Sequence, residues 1–460
     1  MAESVTSAAG IDTMSGSDAL LWTISSDPVM RPTIVALMML DGTPDWPEVR
    51  ARVGALTETV PRLRSRAVTR APGRGRPQFV VDESFDLETH LRRIRLPEQG
   101  GLRDVLDMAQ TMATSGFDPA LPLWEAFLVE GVDTDRAALV MKVHHALIDG
   151  VGGLAVLAQL FDSPATDRPE SRVHAAPEPA SRSLVHRMGD LPDAVRLVDG
   201  AADAVTHPFR SLGQLAALGT SVARLMAPAG RPISPIMTGR SFRRHVEIID
   251  LELADLKRAA TAWGGTVNDV FVASVVRGVT LYHEQHGVVT SGFRALMPVN
   301  VRSGAAGGSG NHFVPARFVI AARTDLAGCM EEVRRNAQEW KHAPGLAMSE
   351  ILATGLSALP PVVARNLWSS MLLGTDFCIT NIPGPPFRSF LAGVEIDGIY
   401  AISPPSGAAF NVSLISAAER ACITITADVA AVPDSPKLAG CIEDGFAEVC
   451  SARQPAPRSP

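Results

Sequence analysis

The 460-residue sequence predicts an α/β protein of two domains, and three observations carry that expectation. The chain is longer than one hydrophobic core usually serves. Short apolar strand patterns alternate with helix-period patterns in both halves. Between the halves, residues 163–183 (SPATDRPESRVHAAPEPASRS) are rich in Pro, Ser and Ala and poor in apolar residues, the composition of a linker or exposed crossover. The expected division is 1–162, then linker and crossover helices over 163–240, then 241–460.

In the first part, the apolar run 33–40 reads as a buried strand and 47–60 as a helix, with Pro44 and Pro47 suiting the turn and first helical position. An Arg-rich stretch follows, with Arg62, Arg64, Arg66, Arg70, Arg74 and Arg76, and then QFVVD reads as a short strand. Residues 101–113 place Leu102, Val105, Leu106 and Ala109 on one helix face. AFLVEGV and residues 138–143 form a strand pair, turning across 131–136. The second strand runs straight into HHALIDGVGG, after which 154–161 reads as a buried helix.

Residues 184–228 hold helical stretches that suit either core packing or an amphipathic cover facing lipid. The second part opens with RHVEIIDLEL as a strand, helices at 255–263 and 266–283, and FRALMPVNV as a buried strand. Residues 322–341 suit a strand end followed by a helix. Short strands are expected at 375–381, 394–402, 409–416 and 421–428, then a closing helix over 434–450 with Asp434 as its N-cap.

Composition bounds the function. With 46% hydrophobic and 20% charged residues, the chain can bury large cores and is not disordered as a whole. A formal net charge of -7 argues against a general nucleic-acid binder. The five cysteines, Cys329, Cys378, Cys422, Cys441 and Cys450, are widely spaced without a CxxC pair, so reduced thiols are expected rather than a zinc site. The opening MAESVTSAAGIDTMSGSDALL lacks a basic segment followed by an apolar one, so no secretory signal is expected. The most membrane-like stretch, 353–369, is interrupted by a Pro pair and Arg365, which argues against a spanning helix.

The sharpest local signal is HHALIDG. Adjacent strand residues face opposite sides of a sheet, so only one of His144 and His145 can enter a cleft. Asp149 lies across a turn closed by Gly150, where an Asp can hydrogen-bond its own backbone. A neutral imidazole, of reference pKa about 6.5, can accept a proton near neutral pH. From the residues alone, a proton acceptor, a structural role and a metal site all remain open, although no third metal ligand is evident and the two rings aim apart.

HHALIDG matches the HHxxxDG signature of CoA-dependent acyltransferases. The blocks SGSDALLW, VPRLRSRAV, FVVDESFDLETHLRR, LPLWEAFLVEGV, GGTVNDVFVASV, LMPVNVR, ITNIPGPP and FNVSLIS, in that order, resemble the bacterial wax ester synthase/diacylglycerol acyltransferase family. The resemblance spans about 12–455, and only 163–235 lacks recognisable blocks. It departs at SGNHFV, with His312 where Arg is common.

The resemblance implies two related mixed-sheet domains with the active site in the channel between them. It implies His145 as general base, with His144 packed or bonded to backbone. It makes Asp149 mainly structural, with Arg302 a candidate partner, and puts Asn268 and Asp269 near the site, where Asn268 or a backbone N–H could steady a developing oxyanion. Pro122, Leu123 and Trp124 suit core packing or channel lining, and Asn381, Pro383, Gly384, Pro385 and Pro386 a rigid turn or the CoA side of the channel. The Arg cluster suits CoA phosphates, an anionic membrane or simple exposure.

The implied reaction moves a long-chain acyl group from acyl-CoA, as co-substrate, to diacylglycerol or a long-chain alcohol. No permanently bound cofactor or metal and no nucleic-acid partner is implied, and no Ser or Cys nucleophile is needed. Another lipid alcohol as acceptor, or a non-catalytic lipid-binding role, are the alternatives. The expected location is cytoplasmic, with peripheral contact to the inner face of the plasma membrane or to lipid droplets.

Overall fold

The computed structural model describes residues 11–69, 76–98, 100–133, 135–148, 150–162, 230–300, 313–341 and 349–452. The linker at 163–183, the helical stretches at 184–228, Arg70, Arg74, Asp149, Arg302 and His312 lie outside the described residues.

In chain order the first half contains β1 (Ile11–Thr13), α1 (Gly16–Ile24), β2 (Thr33–Leu40), α2 (Trp46–Thr59), β3 (Ser65–Val68), β4 (Gln78–Val81), α3 (Leu87–His90), β5 (Leu91–Arg95), α4 (Leu102–Thr114), β6 (Trp124–Val132), β7 (Arg136–His144) and α5 (Gly150–Leu157). The second half contains β8 (Arg244–Glu252), α6 (Leu253–Ala262), α7 (Val267–Gln285), β9 (Gly292–Asn300), β10 (Phe313–Ala321), α8 (Leu326–Lys341), α9 (Ser349–Ser357), α10 (Pro361–Leu372), β11 (Phe377–Pro383), β12 (Phe390–Leu391), β13 (Val394–Ile402), β14 (Phe410–Ala417), β15 (Arg420–Asp428) and α11 (Ser435–Ser451).

Two six-stranded mixed sheets dominate, in the orders β12-β13-β2-β7-β6-β5 and β10-β9-β11-β14-β15-β8. In the first, β5 and β6 run parallel and the remaining neighbours antiparallel. In the second, β11 runs parallel to both β9 and β14. A small sheet, β1-β4-β3, stands beside the first. Strand 394–402, expected within the second part, is hydrogen-bonded instead in the first sheet, along β2 from Ile396↔Leu40 to Ile402↔Val35. Local apolar pattern predicts that a strand forms but not which distant edge it joins, since only tertiary packing decides that.

Local chemistry explains several termini. Asp45 caps α2 by accepting from the Glu48 N–H at 3.2 Å, and Pro47 occupies its first turn. Asp434 stands at the N-cap of α11 but makes no capping bond. Its carboxylate accepts instead from the Tyr282 hydroxyl and from His286 Nε2, which ties α11 to α7. These helices approach closely at two glycines: a Cβ on Gly278 would lie 2.7 Å from the Cys441 carbonyl oxygen, and one on Gly445 2.7 Å from the Gly278 nitrogen. The stretch 353–369 divides between α9 and α10, and no helix among the described residues is long and apolar enough to cross a membrane.

The two halves meet through an apolar layer in which Val35, Leu37, Val105 and Ile402 pack with Val246 and Cys422. Tyr400 on β13 donates its hydroxyl to Asp250 on β8 at 2.8 Å, and Arg103 on α4 donates to the Val246 carbonyl at 2.9 Å. These polar ties hold the first sheet against the second.

Candidate active site between the two halves

The end of β7 presents the histidine pair. β2 and β7 are antiparallel with Thr33 opposite His144. The His144 N–H donates to the Leu123 carbonyl at 3.0 Å and the His145 N–H to the Pro32 carbonyl at 2.8 Å. Backbone pairing therefore fixes the chain up to the turn, and strand geometry sends the two rings apart.

His144 is only 1% exposed and lies edge-on between Trp22 and Phe117, at 5.8 and 5.7 Å between ring centroids. Its Nδ1 accepts from the Ala146 N–H at 3.0 Å, which assigns the ring proton to Nε2. Nε2–H then donates to the Ser25 hydroxyl at 2.6 Å, and that hydroxyl donates to the Leu21 carbonyl at 2.7 Å. Burial, followed by the nearby His145 and Lys142, pushes the His144 pKa down to about 3. His144 is thus a buried, neutral ring that pins the turn to the C-terminal end of α1.

His145 lines a cavity of about 230 Å³ between the halves. Leu21, Ile24, Leu56, Leu63, Leu154 and Leu157 give one part of this cavity an apolar wall. The second half contributes Leu296, Trp368, Thr380, Asn381 and Asn411. The polar groups are few and braced: the Ser413 hydroxyl donates to Asn411 Oδ1 at 2.9 Å and pairs with the Ser403 hydroxyl at 3.0 Å. Cys378 also lines the cavity, but its thiol donates to the Pro405 carbonyl at 3.2 Å and burial pushes its pKa up to about 12. A thiol held protonated in this way is a poor nucleophile. An apolar cavity with few fixed polar groups and one imidazole suits a lipid chain ending in a reacting polar group.

The other expected site residues divide. Gly150 opens α5 directly after the turn. Asn268 does not line the cavity: its side-chain oxygen accepts from Asn381 Nδ2 at 3.1 Å, so it reaches the site only through Asn381, which does line it. Asp269 is committed to the start of α7, accepting from the Thr266 N–H at 2.8 Å in a capping box. Pro122, Leu123 and Trp124 are buried away from the cavity. Trp124 donates Nε1–H to the Leu63 carbonyl at 2.7 Å and stacks on His90, so packing is its role. Pro383 ends β11, and Gly384 lies so near the next strand that a Cβ would meet the Ser416 carbonyl oxygen at 2.7 Å. The NIPGPP turn is a close backbone crossing that no side chain beyond Gly would permit. Among the described groups of His, Cys, Asp and Glu, none is arranged to hold a metal ion.

Arg62 departs from the reading of its cluster as a solvent- or ligand-facing patch, whereas Arg66 and Arg76 are exposed. It is buried, pairs with Asp12 at 2.6 Å and with the fully buried Asp18 at 3.2 Å, and donates to the Leu147 carbonyl at 3.4 Å. It braces the turn after His145 from below. The sequence reading missed this brace, the Ser25 clamp and the cavity-facing Asn411. Only Asn411 had a visible signal, because it lies in the FNVSLIS block.

Residues 14–271 match the wax ester synthase/diacylglycerol acyltransferase catalytic domain, and residues 309–449 match the C-terminal domain of the same family. A putative diacylglycerol O-acyltransferase of Mycobacterium tuberculosis is 34% identical over 472 residues, covering 100% of this chain and 96% of that protein. The solved wax ester synthase/diacylglycerol acyltransferase of Marinobacter aquaeolei VT8 superposes with a TM-score of 0.61 at 19% identity, over 95% of this chain and 98% of that one. The starter condensation domain of rhizomide synthetase, solved with C8-CoA and Leu-SNAC, superposes at 0.58 with 15% identity, over 97% and 96%. The paired mixed sheets accord with both solved folds, and the chain belongs to the wax ester synthase/diacylglycerol acyltransferase family of acyltransferases.

Proposed function

We propose that the chain transfers a long-chain acyl group from acyl-CoA to diacylglycerol or a long-chain alcohol, with His145 as general base. The observation that carries this reading is the division of the histidine pair. His144 is locked neutral in the Ser25 clamp, while His145 borders an apolar cavity between the halves. The names of the relatives, diacylglycerol O-acyltransferase and wax ester synthase, support the acceptor class.

In the proposed reaction, His145 accepts the hydroxyl proton as the alcohol oxygen attacks the thioester carbonyl. The tetrahedral oxyanion needs a donor aimed at it, and Asn381, steadied by Asn268, is the candidate among the cavity-lining amides. Protonated His145 then gives its proton to the departing CoA sulfur. The ester C–O bond forms, the thioester C–S bond breaks, and no acyl-enzyme is required.

Peripheral contact with a lipid surface is part of this reading. Val362, Val363 and Leu367 on α10 are 58%, 44% and 40% exposed, while Trp368 and Leu372 of the same helix line the cavity. Such a helix places an apolar surface beside the route a lipid acceptor needs. Alkaline carbonate should therefore release the protein from membranes; protein retained as fully as a spanning control contradicts this part.

The deciding experiment offers the purified protein labelled palmitoyl-CoA with diacylglycerol, monoacylglycerol and long-chain alcohols in turn. Triacylglycerol or wax ester is the expected product. No ester from any acceptor would contradict the reading.

A further inference from the structure

Lys142 is a buried charge that the proposed reaction does not use. It lies on β7 two residues before His144, and it is 1% exposed. Val143 and His145 line the cavity, so strand alternation turns Lys142 to the other side, with His144. Its ammonium donates to the Gly116 carbonyl at 2.7 Å, the Ser115 hydroxyl at 2.9 Å and Glu125 Oε1 at 3.1 Å, which uses all three N–H groups. It also stands over the ring of Phe117, 4.2 Å from the centroid. Burial pulls its pKa down, and Glu125 on β6 opposes that shift. An apolar side chain of the same size would fill this place without the cost of burying a charge.

What the ammonium adds is a fixed position for the segment that follows α4. Ser115 is the C-cap of that helix, and Phe117 is the ring that walls His144 at 5.7 Å. The same helix end is tied from a second side. Arg31 donates to the Thr114 carbonyl and, at 3.5 Å, to the Ser25 carbonyl, and the Ser25 hydroxyl is the partner of His144. The contacts close into a ring: His144, Phe117, Lys142, the end of α4, Arg31, Ser25 and His144 again.

The ring holds a protonation state as well as a position. His144 Nδ1 accepts from the Ala146 N–H, one residue beyond His145. A proton on Nδ1 would break that bond and release the backbone on which His145 stands. The groups facing His144 are Trp22 and Ser25 from α1 and its cap, Phe117, and the basic Lys142 and His145 from its own strand and turn. Lys142 in turn faces Glu125 and Arg31. Among the described residues no carboxylate is bonded to His144, so a second positive charge on the ring would meet like charge in a dry site.

We propose that Lys142 is a positioning residue for acyl transfer: its ammonium holds Phe117 against His144 and keeps that ring unprotonated, and so fixes the turn that carries His145. The effect on turnover rests on His145 being the base.

The test uses the full chain with Lys142→Met, which keeps the length and removes the charge, Phe117→Leu, and the double variant. In Lys142→Met, kcat should fall roughly ten- to hundredfold, the scale of a slightly misplaced catalytic group, with KM for palmitoyl-CoA unchanged. The double variant should lose no more than the worse single one, because both act through one contact. A spectroscopic readout accompanies these rates. In protein labelled with 15N-histidine, the His144 signals are identified by their loss in His144→Gln. Between pH 7 and 5, wild-type Nδ1 should stay in the unprotonated range, whereas in Lys142→Met it should move toward the protonated range as pH falls. A packing role alone would not move that titration. A wild-type Nδ1 signal in Lys142→Met, or single-variant losses in kcat that multiply in the double variant, overturns the proposal. Should Lys142→Met fail to fold, Phe117→Leu decides: a lowered kcat with a shifted His144 signal supports the proposal, and wild-type values of both overturn it. Wild type that forms no ester would defeat the reading of His145 as base. The nitrogen spectrum then still decides the hold on His144, supported by the shift in Lys142→Met and overturned by its absence.

Discussion

The Ser25→Ala substitution isolates the clamp on the histidine pair. In the folded chain the Ser25 hydroxyl is the partner of the His144 Nε2–H at 2.6 Å, and the ring is walled by Trp22 and Phe117. Deleting one oxygen leaves a buried donor facing ring edges, which costs about 1–3 kcal/mol. A tilt of the His144 ring also moves the backbone that it anchors through Ala146, and His145 stands between them. The expected result is a loss of about 2 kcal/mol in urea denaturation, together with a fall in kcat at unchanged KM for acyl-CoA. Ser25→Thr, which keeps the hydroxyl, should restore most of both. Stability within about 0.5 kcal/mol of wild type together with wild-type kcat would refute the clamp.

Two further outcomes follow from the packing and the protonation states. Gly278→Ala should destabilise the second half by about 3 kcal/mol or more, since the added methyl would meet the Ile442 backbone and the Cys441 carbonyl on α11; a thermal shift of the variant checks this, and a neutral effect contradicts the close crossing. The lowered pKa of His144 means the unfolded chain binds its proton more readily than the folded one. Stability linked to this ring is therefore complete above the unfolded value of about 6.5 and is lost as pH falls toward 3, at up to about 1.4 kcal/mol per pH unit. Urea denaturation across that window should show a shallower acid slope in His144→Gln; equal slopes contradict the neutral-ring assignment.

Much of the architecture was legible because strand and helix periods are local properties. The hairpin ending at the histidines, the helix at 266–283 and the closing helix all follow from apolar spacing and caps, and the structure places them at β6–β7, α7 and α11. Pairing across the chain was not legible. β13 joins β2 over a separation of more than three hundred residues, and no local pattern encodes that choice. The same limit applied to single side chains. An arginine among five others reads as exposed charge until Asp18 is seen buried beneath Arg62. A serine at a helix end shows no tie to a histidine 119 positions away. Asn268 was assigned to the site through its neighbourhood, whereas the side chain that reaches the cavity belongs to its hydrogen-bond partner Asn381. Proximity in a block locates a site within one layer of residues, and the direction of each side chain decides the rest.

The central claim is that His145 is the base, and the most direct measurement is acyl-CoA-dependent ester formation by purified, folded His145→Ala. The ring that borders the cavity is removed, while the Ser25–His144 clamp that holds the turn is untouched. General-base assistance is worth about 10²–10⁴-fold, or roughly 3–5 kcal/mol of barrier. The account predicts a kcat reduced by that factor in a protein with wild-type circular dichroism and unfolding midpoint. Turnover within about threefold of wild type, far short of the range for a lost base, would contradict it.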